Sequence, residues 1–522
     1  MDYLVVLIPL LPLFAAAVIG FGFLFNRISE KKDEYISANI AKNTITLSCL
    51  VAIGLLATDL LGMNPNSISL GKWLGSGSFI VELNFITSGF SVVAAALFSF
   101  ILIVIARFST NYIHAEPGFH RFFFILCLFS SAMLLLILSN NAISTFIGWE
   151  LAGLCSYLLI SFAYDRQNAV INATRVFVTN RIGDAGFILG IALSFYFAGT
   201  TNWLDLNALA DSLATPTVTA ISLCFVVAAI AKSAQLPFTP WLARAMEGPT
   251  PSSAVFYGSV MIHAGIFLVI LLQPIIEKAP LTMGVLIVVG LFTAIYSFFV
   301  GLTQTDAKSS ICFAISGQLG LMFLECGLGL WELASWHLCA HAIVRCYQVL
   351  TAPSLIRYVY GNPMNPVASQ IANKRWLYIA SLQRFWLDPI ADRVLVRPIS
   401  GLGHDLDRFD KNIIDQAMGA PISANYTISS LTQVEQNMNK EIRGGVQIEF
   451  VRGSGIVGKF FEWMANIMSW FEERLVLRGI GMDTVDIGRK LGQIANSFEQ
   501  LILKPRYLVL FVFIILMIAA SI

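Results

Sequence analysis

The sequence predicts an all-α, polytopic transmembrane bundle of about twelve spans, with broken helices in its middle and amphipathic helices near its C-terminus. Three observations predict it. Of 522 residues, 57% are hydrophobic and only 12% charged, which excludes an ordinary soluble domain. Apolar runs long enough to cross about 30 Å of hydrocarbon recur along the first two thirds of the chain. Ionisable residues nevertheless stand inside several of those runs.

The runs fall near 3–23, 40–61, 86–106, 121–139, 142–163, 176–198, 217–236, 253–273, 281–301, 309–329 and 332–352. Residues 1–23 have no basic n-region and no small-residue cleavage motif, so they read as a retained span. Arg27, Lys31 and Lys32 follow the first span, and Arg107 and Arg121 flank the loop after the third. The loop after the second has only Lys72. By the positive-inside rule the N-terminus is expected outside and residue 353 onward inside, in a cell inner (plasma) membrane.

Three regions are expected: a transmembrane bundle over 1–353, an amphipathic helical region over 354–505 on the cytoplasmic side, and an anchoring span over 506–522. In 354–505 charges return, and 385–418 and 457–503 mix apolar and polar residues at helical spacing. That region reads either as a surface-lying tail or as a brace that clasps the bundle or a partner. The eight cysteines are scattered through apolar segments without CxxC pairs, as befits small buried hydrophobes. Neither an iron–sulfur nor a structural zinc site is expected in this chain.

Glu150, Lys232, His263, Lys308, His337, His341 and Arg345 are the candidates for function. On the lenient insertion scale each costs roughly 2.5–3.5 kcal/mol at mid-bilayer, so a series of them points to movement of charge across the membrane. Glu150 must be neutral or have a cationic partner, and a fixed structural ion pair is the competing reading. Lys232 lies just before Pro237 and Pro240. Such breaks leave backbone groups unpaired unless the break is buried in protein or lines a wet cavity, the surroundings of a transport path. Snorkelling to an interface is the alternative for Lys232 and, near a span end, for Lys308. Glu247-Gly248-Pro249-Thr250-Pro251-Ser252-Ser253-Ala254 is a second break, followed by His263; a histidine needs only a small shift to exchange a proton near neutrality, and a core histidine that is simply hydrogen-bonded is the competing reading.

His337, His341 and Arg345 recur at i, i+4 and i+8 and so form a polar file down one helical face. Two histidines at that spacing could instead hold a metal, but Leu338 stands where the glutamate of an HExxH motif would be. No nucleophile–base constellation or nucleotide loop is visible, which disfavours a self-contained enzyme.

These residues lie in motifs that resemble the antiporter-like membrane subunits of respiratory complex I, in the chain 5 (L subunit) branch related to sodium/proton antiporters. The motifs are Gly148-Trp149-Glu150, Asn180-Arg181-Ile182-Gly183-Asp184, Lys232-Ser233-Ala234-Gln235-Leu236-Pro237, Met246-Glu247-Gly248-Pro249-Thr250-Pro251, Thr305-Asp306-Ala307-Lys308 and His337-Leu338-Cys339-Ala340-His341. The resemblance implies a proton path through Glu150, Lys232, Lys308, His337 and His341, with Arg181 and Asp184 as a modulating pair. Departures are informative: histidine occurs at His263 where the family places it at Tyr257, Arg345 replaces a family lysine, and the spans that usually follow residue 353 are missing. The shortened form resembles the membrane subunits of DAB-type inorganic-carbon uptake complexes. That implies a large zinc-containing partner related to carbonic anhydrase, with no cofactor in this chain. Partners of the complex I-like kind are the alternative.

Overall fold

A computed structural model describes residues 2–25, 27–28, 33–76, 79–304, 306–352, 372–410 and 463. The chain divides into two units, residues 1–396 and 397–522. In the first unit the helices are α1 (Leu7–Leu24), α2 (Glu34–Leu60), α3 (Phe90–Tyr112), α4 (Phe119–Leu138), α5 (Ala142–Ile160), α6 (Gln167–Ala198), α7 (Trp203–Ala208) and α8 (Thr215–Lys232). They continue with α9 (Pro240–Arg244), α10 (Thr250–Ser253), α11 (Ala264–Leu271), α12 (Gln273–Glu277), α13 (Pro280–Gly301), α14 (Ala307–Gly327) and α15 (Trp331–Thr351). Two short helices, α16 (Arg375–Leu382) and α17 (Leu387–Ala391), complete this unit, and α18 (Arg397–Phe409) is the described helix of the second.

Among the described residues, ten helical segments are long and apolar enough to cross a membrane. They match the first ten runs read from the sequence. The eleventh, α15, is a 21-residue helix that falls short in apolarity because Glu332, His337, His341 and Arg345 all lie on it. The anchoring span over 506–522 and the amphipathic stretch 457–503, Trp463 apart, lie outside the described residues. One continuous apolar core runs from α1 to α15, while large apolar side chains such as Phe21, Leu50, Phe100 and Phe292 face outward, as lipid-facing surfaces do.

The sequence reading missed a two-stranded antiparallel hairpin between α2 and α3. Its strands are β1 (Ser67–Ser76) and β2 (Phe79–Ile86), with Ser67 opposite Ile86 and Ser76 opposite Phe79. The Asn140 amide donates to the Asn84 carbonyl at 2.9 Å, which ties β2 to the α4–α5 turn. The next residue, Asn141, caps α5 by accepting from the Ile143 amide. Helix α14 is likewise started by a side chain: Asp306 of the Thr-Asp-Ala-Lys motif accepts from the Ser309 amide at 2.8 Å and so caps it.

Both expected breaks are present. α8 stops at Lys232, four residues before the expected end of the run. From Ser233 to Thr239 the chain is irregular, and side chains satisfy its backbone. Thr293 Oγ1 accepts from the Leu236 amide, and Trp241 Nε1 donates to the Ala231 carbonyl. The second lies at Gly248 and Pro249, between a 3-10 turn over Ala245–Glu247 and α10; beyond it, and not foreseen, a π-turn over Ala254–Ser259 and a 3-10 turn over Met261–His263 lead into α11. This segment is the innermost of all, with 94% of its apolar window buried, and π-turns of this kind mark places where helical regularity yields to a site.

Helices α13 and α14 meet at glycines. A Cβ added at Gly290 would fall 2.5 Å from the Gly320 carbonyl oxygen, and one at Gly320 2.6 Å from that of Gly290. Backbones this close require small residues at the seam.

Residues 375–396 lie against the bundle. Arg384, Phe385 and Trp386 all take left-handed φ values (51°, 53°, 54°), which swing the chain from α16 into α17. Phe385 packs on Tyr296 with ring centroids 5.9 Å apart. Asp388 pairs with Arg244 at 3.3 Å and Asp392 with Arg175 at 3.2 Å, which joins this segment to α9 and α6.

Candidate functional site

Two polar clusters occupy the interior. The first gathers four charges from three helices. Lys232, 1% exposed, ends α8 and donates from Nζ to the Trp149 carbonyl at 2.9 Å, its ammonium 5.0 Å from the Trp149 ring centroid. Trp149 Nε1 donates in turn to Asp184 Oδ1 at 2.7 Å. Arg181 Nη2 pairs with Asp184 Oδ2 at 2.8 Å, and Arg181 Nη1 pairs with Glu150. Arg181 also lies over the Phe177 ring at 4.3 Å.

Glu150 therefore meets Arg181 directly, and Arg181 and Trp149 link it to Lys232. Gly153, one turn beyond Glu150 on α5, makes the convergence possible: a Cβ there would lie 3.1 Å from Arg181 Nη2 and 3.3 Å from Lys232 Nζ. Two carboxylates balance two cations, as buried charge demands, and removal of any one would strand its partners. Trp149 was not singled out from the sequence. It sits inside the quoted Gly-Trp-Glu motif, and an indole N–H deep in an apolar run normally has a polar partner.

The second cluster is the histidine file. His263, 0% exposed, and His341, 5% exposed, meet through Nε2 and Nδ1 at 2.9 Å. Arg345 Nε donates to His341 Nε2 at 3.3 Å. Because a guanidinium only donates, His341 Nε2 is an acceptor, its proton sits on Nδ1, and His263 Nε2 accepts it. Arg345 thus fixes the tautomers of both rings. Its own Nη1 donates to Gln348 Oε1 at 2.6 Å. The His337 ring lies 6.2 Å from that of His341, and it touches Glu325 and Gln318 of α14.

The two clusters meet at the helix breaks: Ser233, next to Lys232, donates from Oγ to the carbonyl of Ile262, next to His263, at 2.7 Å. Lys308 stands apart. Its Nζ donates to Thr250 Oγ1 at 2.7 Å, which also meets the Tyr112 hydroxyl at 3.0 Å. These three residues line a cavity of about 1350 Å³ that includes Arg121, Tyr164 and Glu247. Lys308 and Glu325 lie seventeen positions apart on α14, roughly 25 Å at the helical rise, so the two mark opposite ends of the bundle. Among the described residues no group of three or more His, Cys, Asp or Glu side chains is arranged to hold a metal ion.

Comparison with known proteins follows the same residues. The family model "NADH:quinone oxidoreductase/Mrp antiporter, TM" matches residues 139–365, and "NADH-Ubiquinone oxidoreductase (complex I), chain 5 N-terminus" matches 73–123. The chain is 34% identical over 366 residues to NAD(P)H-quinone oxidoreductase chain 5 of Synechocystis sp., covering 68% of this chain and 53% of that one. It is 35% identical over 346 residues to NADH-ubiquinone oxidoreductase chain 5 of Rhizopus stolonifer, covering 66% and 52%. The chain thus spans about half the length of these curated relatives. In fold it is similar to a chain of the Mrp complex from Dietzia sp. (TM-score 0.58, 18% identity, 98% of this chain and 62% of that one). It is also similar to a chain of the archaeal membrane-bound sulfane sulfur reductase (TM-score 0.57, 19% identity, 66% and 70%). With the family models taking in the charge quartet, both helix breaks and the histidine helix, this chain belongs to the antiporter-like membrane-subunit family of complex I, in its chain 5 branch.

Proposed function

We propose that the chain conducts protons, or sodium ions, as one subunit of a larger complex I-like assembly in which another subunit supplies the energy. The observation that carries this reading is the pair of interior clusters. A balanced quartet around Lys232 abuts, through the Ser233–Ile262 contact, a file of histidines that leads toward the end of the bundle opposite Lys308. Titratable groups placed one after another in a dry interior let protonation pass from group to group, which no single side chain can do across about 30 Å. The curated relatives are chain 5 subunits of quinone oxidoreductases, which favours redox partners over others.

A second reading concerns the partner alone. The helix that carries the histidines ends at Thr351, and by Arg375 the chain already packs on the bundle. The shortened form resembles the membrane subunits of inorganic-carbon uptake complexes, and that resemblance is what suggests a zinc-containing, carbonic-anhydrase-like partner. Mild detergent extraction followed by identification of bound chains separates the two: flavin or iron–sulfur subunits support the first reading, and a large zinc protein the second. Conduction itself is tested with the purified complex in proteoliposomes. Lys232→Ala is expected to abolish ion flux in the complex that assembles, together with a loss of thermal stability, and undiminished flux would overturn the proposal.

A further inference from the structure

Glu325 stands near the end of α14, close to the three-residue turn Leu328–Leu330 that leads into α15. Its carboxylate meets His337 Nδ1 through both oxygens, at 2.9 and 3.2 Å, and the other ring nitrogen, Nε2, faces Gln318 Oε1 at 2.9 Å. The side chains of Glu325 and His337 are 16% and 20% exposed, against full burial of His263 deeper in the file. This cluster is therefore the part of the file beside the turn between α14 and α15, at one end of both helices. No other carboxylate of the described residues touches a ring of the file.

The geometry gives His337 two well-bonded states. As an imidazolium it donates from Nδ1 to Glu325 and from Nε2 to the Gln318 carbonyl oxygen. As a neutral ring it keeps the Nδ1 donation, and Nε2 accepts from the Gln318 amide after that amide turns over. A glutamine offers a donor and an acceptor at nearly the same place, so the exchange needs one side-chain rotation and no movement of the helices. A backbone carbonyl or a second carboxylate, which only accepts, would favour one state over the other.

We propose that Glu325 is the terminal proton donor–acceptor of the histidine file, exchanging protons with the aqueous phase at the end of the bundle opposite Lys308. Gln318 is the positioning residue that lets His337 alternate between its two states. The inference rests on the translocation reading above and adds the group at which the path meets water. A proton arriving through water from the His341 side binds Nε2 of the neutral ring, the imidazolium passes its Nδ1 proton to a Glu325 oxygen, Glu325 releases it to the aqueous phase, and a turn of the ring restores the Nδ1–H form. The ring is then neutral and the carboxylate charged again, and the same steps run backward for flow the other way.

The test uses the purified complex in proteoliposomes with an internal pH dye. Glu325→Gln keeps an acceptor for His337 but cannot carry a proton, and it is expected to lower flux by about tenfold or more, a typical contribution of a positioned proton carrier. Glu325→Asp is expected to restore much of it. Gln318→Leu leaves the Glu325–His337 pair intact and is expected to slow flux several-fold, which keeps the proposal testable should Glu325→Gln fail to assemble. An infrared band of a protonated carboxyl that appears on acidification and is missing in Glu325→Gln would support the proposal independently. Full flux in Glu325→Gln while Lys232→Ala is silent would overturn it and leave the translocation reading standing. Full flux in both would overturn the translocation reading itself.

Discussion

The quartet around Lys232 and the file on α14 and α15 bury polar groups in opposite ways. In the quartet, Glu150, Arg181, Asp184 and Lys232 form a closed set of equal and opposite charges, with Trp149 threaded between them. In the file, three imidazoles run between an ionic group at each end, Glu325 and Arg345. A closed set cannot lose a member without leaving net charge in hydrocarbon. An open file can lose His263, which touches neither ionic group, and strand no charge. Stability and conduction should therefore fail together in the first region and separately in the second.

The largest effect should come from Asp184→Asn. It leaves Arg181 and Lys232 facing one carboxylate, a change that costs about 3–5 kcal/mol for a buried pair. Thermal unfolding of the detergent-solubilised complex should show the loss, and flux should vanish with it. An unchanged melting profile would break the contrast between the two regions.

A smaller and different effect is expected of Arg345→Gln. His341 Nε2 would then be free to take a proton, so the tautomers of His341 and His263 should no longer be single. Nitrogen chemical shifts of labelled histidines would report the change, together with flux altered several-fold and stability shifted by only about 1 kcal/mol. Retention of one tautomer at both rings would remove the role assigned to Arg345.

The smallest effect belongs to Asp388→Asn, which removes the partly exposed pairs with Arg244 and Arg384. Such pairs contribute about 0–1 kcal/mol, so a slight drop in melting temperature with unaltered flux is the expected outcome. A strong loss of flux would mean that residues 375–396 take part in conduction.

The spans were legible because hydrocarbon thickness imposes a length that sequence alone reveals. The breaks at Pro237 and Pro249 were legible because proline cannot continue a helix. The early stop at Lys232 was not, since Ser233 and Ala234 look helical and the tertiary bonds of Ser233 to Ile262 and Trp241 to Ala231 decide the matter. The hairpin was hidden because the bulges between Ser69 and Leu74 disrupt the two-residue alternation that marks a strand. Of the polar residues, the motifs pointed to Glu150, Lys232 and the histidines, but not to who touches whom. Glu325 and Gln318 read as boundary polarity on their own helix, and only the antiparallel return of α15 brings His337 to them.

The glycine seam between α13 and α14 limits what kind of machine this can be. With Gly290 and Gly320 backbone to backbone, neither helix can roll or slide past the other without collision, so α14 behaves as a fixed strut. Lys308 and Glu325 are mounted on that one strut, near its two ends. On the proposed reading, rotating side chains and water along the strut are then what carries the change of state, because the spacing between its two ends is set by the helix itself.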